Sequence, residues 1–249
     1  MMVEIRLNKS IDFKGMTFVE GFPGAGLVGP MTISYMIEKL KPVYIGYIEG
    51  DELPPIMSVH SGTPMPSIRL YYSKEGRFVC ILSEYSIPPE LVYPISDKII
   101  KFVRDGGFSE IISIGGMPVR DGDEKYLDTV FSISSNDKCA ARTVKIGMKR
   151  VNEGVSTGIG AVLMLKSVED KIDNINILVP VRDGITDPKY AELAIQNINN
   201  LMKLEIDVTE LEKEAKMVEA KINELIEKNK SAHQTLKGEP DQAGPSMYA

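Results

Sequence analysis

Two stretches of this chain, Ile111 to Ile114 and Ile175 to Val179, are short apolar runs. A strand buried on both faces has no wet side to alternate with, so such runs point to interior strands of a parallel sheet covered by helices. The segments around them fit that frame. Val3, Ile5 and Leu7 alternate with charged residues and read as a strand, as do Met16 to Phe22 and Val43 to Ile48. A helix is expected from about Pro30 to Leu40, ended by Lys41-Pro42. Ser67 to Tyr72 and Arg77 to Leu82 flank Ser73-Lys74-Glu75-Gly76 and predict a hairpin. Pro88-Pro89 opens a helix that Gly106-Gly107 closes, and Asp187-Pro188 starts another reaching about Leu204. Strands alternating with helices predict an α/β fold, a Rossmann-like three-layer sandwich over residues 1–205 with a C-terminal helical extension.

The chain has 249 residues, 43% hydrophobic and 26% charged, ample for a sizeable core. A net charge of −6 leaves no basic face to displace counterions from nucleic acid, so no nucleic-acid partner is expected. Cys80 and Cys139 are too few for a disulfide framework and suit a reducing compartment. No stretch reaches membrane-spanning length, and the expected location is cytoplasmic. His60 and His233 are the only histidines, so neither a metal set nor a Ser-His-Asp triad can be assembled. Cys80, inside Phe78-Val79-Cys80-Ile81-Leu82, reads as a buried inert thiol.

After a break at Ile206-Asp207-Val208-Thr209, a second helix is expected over residues 206–230, with Thr209 and Glu212 as a capping box. Val208, Leu211, Ala215, Val218, Ile222 and Leu225 recur at spacings of three and four, a short heptad seam for oligomerisation or helix packing. A parallel zipper would oppose Asp207 to Glu212 and Glu214 to Glu219, so packing on a neighbouring domain or an antiparallel partner is favoured. Residues 231–249 form a Gly/Pro/polar tail without apolar periodicity, read as a leash spanning at most roughly 60 Å at about 3.3 Å per residue.

Gly24-Ala25-Gly26-Leu27-Val28-Gly29 matches G-x-G-x-x-G between a strand and a helix, and Glu49 follows at the end of the next strand. Taken literally, this is a dinucleotide fingerprint with its ribose-binding acid, and a nucleotide-dependent enzyme is the alternative reading it supports. The bland reading is that any tight strand-to-helix turn on a sheet wants the same glycines. Pro-Val-Arg-Asp-Gly occurs at Pro118–Gly122 and again at Pro180–Gly184. If the two preceding strands are parallel neighbours, Arg120, Asp121, Arg182 and Asp183 gather at their carboxyl ends. Two Asp-Gly turns with exposed ion pairs are the plainer account.

Glu20-Gly21-Phe22-Pro23-Gly24-Ala25-Gly26-Leu27-Val28-Gly29 resembles the opening signature of the proteasome assembly chaperone family in its archaeal branch. Glu52-Leu53-Pro54-Pro55, Ile87-Pro88-Pro89-Glu90-Leu91-Val92 and Ile111-Ile112-Ser113-Ile114-Gly115-Gly116 agree in order, so the resemblance covers roughly residues 16–205. It implies a Rossmann-like body without dehydrogenase chemistry, a homo-oligomer, no enzymatic activity and no cofactor. Met247-Tyr248-Ala249 resembles the hydrophobic-Tyr-X ending with which proteasome activators and assembly factors dock between α-ring subunits of the core particle. The expectation is an ATP-independent chaperone or activator whose Met247 and Tyr248 fill a pocket while the Ala249 carboxylate pairs a basic residue. Several tethered tails would bind one ring through avidity.

Overall fold

The computed structural model describes residues 3–120, 122, 124–209 and 211. Its strands and helices run in the order β1 (Val3–Leu7), β2 (Thr17–Gly21), α1 (Val28–Leu40), β3 (Val43–Gly50), β4 (Met57–His60), β5 (Thr63–Pro66), β6 (Ile68–Ser73) and β7 (Phe78–Ser83). There follow α2 (Pro89–Asp105), β8 (Glu110–Pro118), β9 (Phe131–Ser134), α3 (Asp137–Lys145), β10 (Lys149–Arg150), α4 (Gly158–Glu169), β11 (Asn174–Val181) and α5 (Pro188–Met202). Among the described residues, nine strands form one mixed sheet, ordered β1-β3-β6-β7-β2-β8-β11-β9-β10. Its centre, β7-β2-β8-β11, is parallel throughout, and the apolar runs of β8 and β11 lie in it side by side.

Helices cover both faces, which makes the three layers expected of this pattern. Val28, Ile33 and Met36 of α1 and Ala194, Ile195 and Ile198 of α5 pack with Val19, Ile112 and Ile177 on one face. On the other, Leu91, Ile95 and Ile99 of α2 and Ile159 and Leu163 of α4 pack with Phe18, Ile81 and Ile111. Alternate residues of each central strand thus feed two separate cores. Phe13, Phe102 and Phe108 cluster beneath the second, the first and last stacked with centroids 5.2 Å apart.

Local signals set the element ends. Pro89 begins α2 at a position whose N–H would be unpaired anyway. Gly107, at φ +66°, ends it by donating its N–H to Arg104 O. In the β6–β7 hairpin Ser73 Oγ accepts from Gly76 N at 3.0 Å. Arg77 adopts a left-handed φ of +51°, so β7 starts one residue later than the apolar pattern suggests.

The β4–β5 hairpin, for which the sequence carried no reading, stands off the main sheet on a buried ionic hub. Arg69 is 2% exposed and grips Glu84 through both terminal nitrogens, at 2.9 and 2.8 Å. Arg69 Nη1 also donates to Pro66 O, and His60 Nε2 lies 2.9 Å from Glu84 Oε1. Each buried charge here has a partner and further hydrogen bonds, which is what makes it tolerable.

The described residues beyond α5 are fastened to the body. Asn199 Nδ2 donates to Ile206 O and its Oδ1 accepts from Ile206 N. Tyr35 of α1 donates its hydroxyl to Asp207 O at 2.7 Å, and Asp207 Oδ1 accepts from Thr209 N. Leu211 is buried in the α1–α5 core, and Val208 packs against it. These two seam positions therefore contact the body itself, so the core extends past residue 205. Val218, Ile222, Leu225 and the tail with Met247, Tyr248 and Ala249 lie outside the described residues, as does Glu212 of the expected capping box.

Candidate functional site

Three polar residues stand in a row across the centre of the sheet. Register sets Glu20 of β2 beside Ser113 of β8, and Ser113 beside Asn176 of β11. Glu20 shares its face with Phe18, and Ser113 with Ile111, so both point toward α2 and α4. Asn176 does the same, since Asn174, two residues away, donates to Ser167 of α4.

All three are almost sealed from water, at 2%, 0% and 4% exposure for Glu20, Ser113 and Asn176. Glu20 Oε2 accepts from Phe22 N at 3.1 Å. Ser113 Oγ and Asn176 Oδ1 have no hydrogen-bond partner among the described residues. Buried polar atoms are nearly always paired, so two orphans beside a carboxyl mark an unusual place. Burial pushes the Glu20 carboxyl up to about 7, held back in part by the Phe22 N–H and the nearby Ser113 hydroxyl, which makes no bond of regular geometry.

The first turn of α4 closes over the row. A Cβ on Gly160 would meet Glu20 Oε1 at 3.0 Å, Asn176 Nδ2 at 3.3 Å and Ser113 Cβ at 3.7 Å. Thr157 supplies no side-chain cap, so the N–H groups of this turn are the donors that every helix start leaves unpaired. A cleft of 1040 Å³ opens beside them, lined by Glu20, Asn176, the loops after β2 and β8, and residues 149–160. The chain leaves β2 toward β3 on one side of the sheet and leaves β8 toward β9 on the other. The cleft therefore lies where an α/β sheet reverses its winding, the usual place for a ligand.

The glycine loop borders this cleft. A Cβ on Gly24 would meet nothing within 4 Å, whereas Gly26, Gly29 and the preceding Gly21 are explained by contact with protein. A Cβ on Gly21 would lie 2.6 Å from Gly29 O, and one on Gly29 would lie 2.9 Å from Ile114 O. Gly26 has φ +63° and sits against Val181. These glycines let α1 settle on the sheet. Glu49 is not the acid a dinucleotide site needs, because β6 and β7 separate β3 from β2. Its carboxylate pairs Arg6 at 2.5 Å instead.

The two Pro-Val-Arg-Asp-Gly segments do follow adjacent parallel strands. Arg120 lines the cleft, whereas the Arg182 backbone is tied to α5 through Tyr190 Oη, and Asp121 lies outside the described residues. Cys80 is fully buried and its thiol is pushed up by desolvation, as expected of an inert core residue. The row itself was absent from the sequence reading. Each apolar run holds one polar residue, Ser113 and Asn176, and Glu20 is the one charged residue in the strand Met16 to Phe22. Those interruptions were the available signal.

The fold is similar to that of Pyrococcus furiosus PbaA, described as an archaeal homolog of proteasome-assembly chaperone. The TM-score is 0.82 at 24% identity, covering 93% of this chain and 100% of that one. It is also similar to Pyrococcus furiosus PbaB, described as an archaeal proteasome activator, with TM-score 0.71 at 20% identity and coverage of 90% and 98%. In sequence it is 27% identical over 219 residues to the uncharacterized protein MJ0106 of Methanocaldococcus jannaschii, covering 88% of this chain and 89% of the relative. The sequence profile of the PAC2 family matches residues 18–226, most of the chain, and the chain belongs to that family.

Proposed function

We propose that this protein is a proteasome assembly chaperone or activator that works by binding rather than by catalysis. What carries the reading is the conjunction of a PAC2 body, similar in fold to PbaA and PbaB, with the sequence Met247-Tyr248-Ala249. In this reading the three residues dock on the α-ring of the core particle, without ATP, and several copies of a homo-oligomer engage one ring. The fastened segment from Ile206 to Leu211 supports it, because it gives the C-terminal residues a fixed point of departure from the α1–α5 face. With Val208 and Leu211 packed on the body, Ala215, Val218, Ile222 and Leu225 are the seam positions left for a partner subunit.

Deleting Met247 to Ala249 should abolish binding to isolated core particle while the body stays folded by circular dichroism. Tyr248→Ala should weaken each engaged tail by about 2 kcal/mol or more. Unchanged affinity of the truncated protein in a surface-resonance titration would reject the reading.

A further inference from the structure

We propose that the cleft beside Glu20 and Asn176 binds a free α-amino acid with an apolar side chain, ammonium on Glu20 and Asn176 and carboxylate on the first turn of α4. The row offers acceptors and the turn offers donors. A primary ammonium carries three donors and no acceptor. Glu20 and Asn176 line the cleft, Glu20 Oε1 lies beside Gly160, and Asn176 Oδ1 has no partner among the described residues; Ser113 stands behind them, outside the cleft wall. Across from them, residues 158–160 begin a twelve-residue helix without a side-chain cap, the natural seat of a carboxylate.

The two half-sites adjoin. Gly160 belongs to the helix turn, yet its vacant Cβ position is 3.0 Å from Glu20 Oε1. Opposite charges this close match an amine and a carboxylate on one carbon, and fit poorly to longer amino-carboxylates. Gly160, having no Cβ, is the residue that lets the turn approach Glu20 this closely. One wall of the remaining volume is formed by Phe22, Ile114, Phe131, Ile133 and Leu178, which suits an apolar side chain.

The site is sensitive to pH through Glu20. Its neighbours on β7, β8, β11 and α4 are Ile81, Ser113, Asn176 and Gly160, all uncharged. Arg120, Tyr126, Lys149, Arg150 and Glu153 share the cleft, and none hydrogen-bonds Glu20. An ammonium needs the carboxylate form, so its binding expels the proton that Glu20 holds below pH about 7.

The test is calorimetric titration of the full chain with leucine, isoleucine, valine, methionine and phenylalanine. For each, the acid lacking the amine and the amine lacking the carboxyl are run beside it. At least one amino acid should bind saturably and neither of its truncated analogues should. Affinity should fall about tenfold per pH unit below 7, with proton release seen as a buffer-dependent heat. Glu20→Gln should weaken binding at least about tenfold and remove the pH dependence, and Gly160→Ala should abolish binding by forcing the turn and Glu20 apart. The ligand and pH series use the unmodified protein, so they decide the matter even where a variant fails to fold. Absence of saturable binding by all five up to about 10 mM overturns the proposal. So does equal binding by an acid lacking the amine, or full affinity in a folded Glu20→Gln protein.

Discussion

Two buried glutamates, one inside β2 and one just past the neighbouring β7, live under opposite rules. Glu84 is 6% exposed and Glu20 2%, so burial opposes the charge of both. At Glu84 the Arg69 guanidinium more than reverses that opposition and holds the carboxyl below the usual carboxylate range. At Glu20 no cation answers, and burial wins. One carboxylate fastens a hairpin, while the other lies among orphaned polar atoms at the edge of a cleft. The difference teaches that burial alone says little about a carboxyl; the partner decides whether it is a rivet or a site.

The sharpest way to break the contrast is to make Glu84 resemble Glu20. Arg69→Ala strands a buried carboxylate and should cost about 3–5 kcal/mol in urea unfolding at neutral pH. Removing both charges, as Arg69→Met with Glu84→Leu, should recover much of that loss. A double variant as unstable as the single one would show that the hub acts through packing, not charge.

The next effect is the pH dependence that Glu20 imposes. Its folded-state value of about 7 lies above the ordinary 4.5, so the folded protein binds the proton more tightly than the unfolded chain. The sign follows: this contribution is fully present below pH 4.5, is lost as pH rises, and is gone above about 7. At about 1.4 kcal/mol per pH unit the loss amounts to about 3 kcal/mol. Glu20→Gln should match the unmodified protein near pH 4.5 and exceed it in stability at pH 8, read from chemical denaturation at each pH. Equal stability at pH 8 would mean that water or a helix dipole already relieves the charge.

Glu84 should show the opposite slope at lower pH. Its folded value is depressed, so its contribution is present above the ordinary carboxylate range and is lost as pH falls through the folded value. Acid titration of Glu84→Gln against the unmodified protein should show the two stabilities converging as pH falls. Smallest of all is Ser113→Ala, which removes a hydroxyl that makes no hydrogen bond of regular geometry and only weakly favours the Glu20 carboxylate. It should change stability by no more than about 1 kcal/mol in either direction, whereas Ser167→Ala strands Asn174 Nδ2 and should destabilise.

Much of this molecule was legible in the sequence wherever a local rule governs the backbone. Proline at the start of α2 and glycine at its end, the Ser73–Gly76 turn, and the apolar faces that seat α1, α2 and α5 follow from φ preference and periodicity, which a few residues carry. Gly26 and Gly29 of the glycine turn were legible as tight packing, but not as a choice between protein and ligand. The 57–66 hairpin drew no reading, because its short strands include Pro64 and Pro66 and it is held by Arg69 and Glu84 from elsewhere in the chain. Strand order lay beyond the sequence for the same reason. Nothing local says that β3 pairs with β6 and leaves two strands between Glu49 and β2, or that β8 and β11 are neighbours. That order alone brought Glu20, Ser113 and Asn176 into one register under Gly160. A residue's conformation answers to its neighbours in sequence, whereas the dielectric around a carboxyl answers to whatever the fold packs against it.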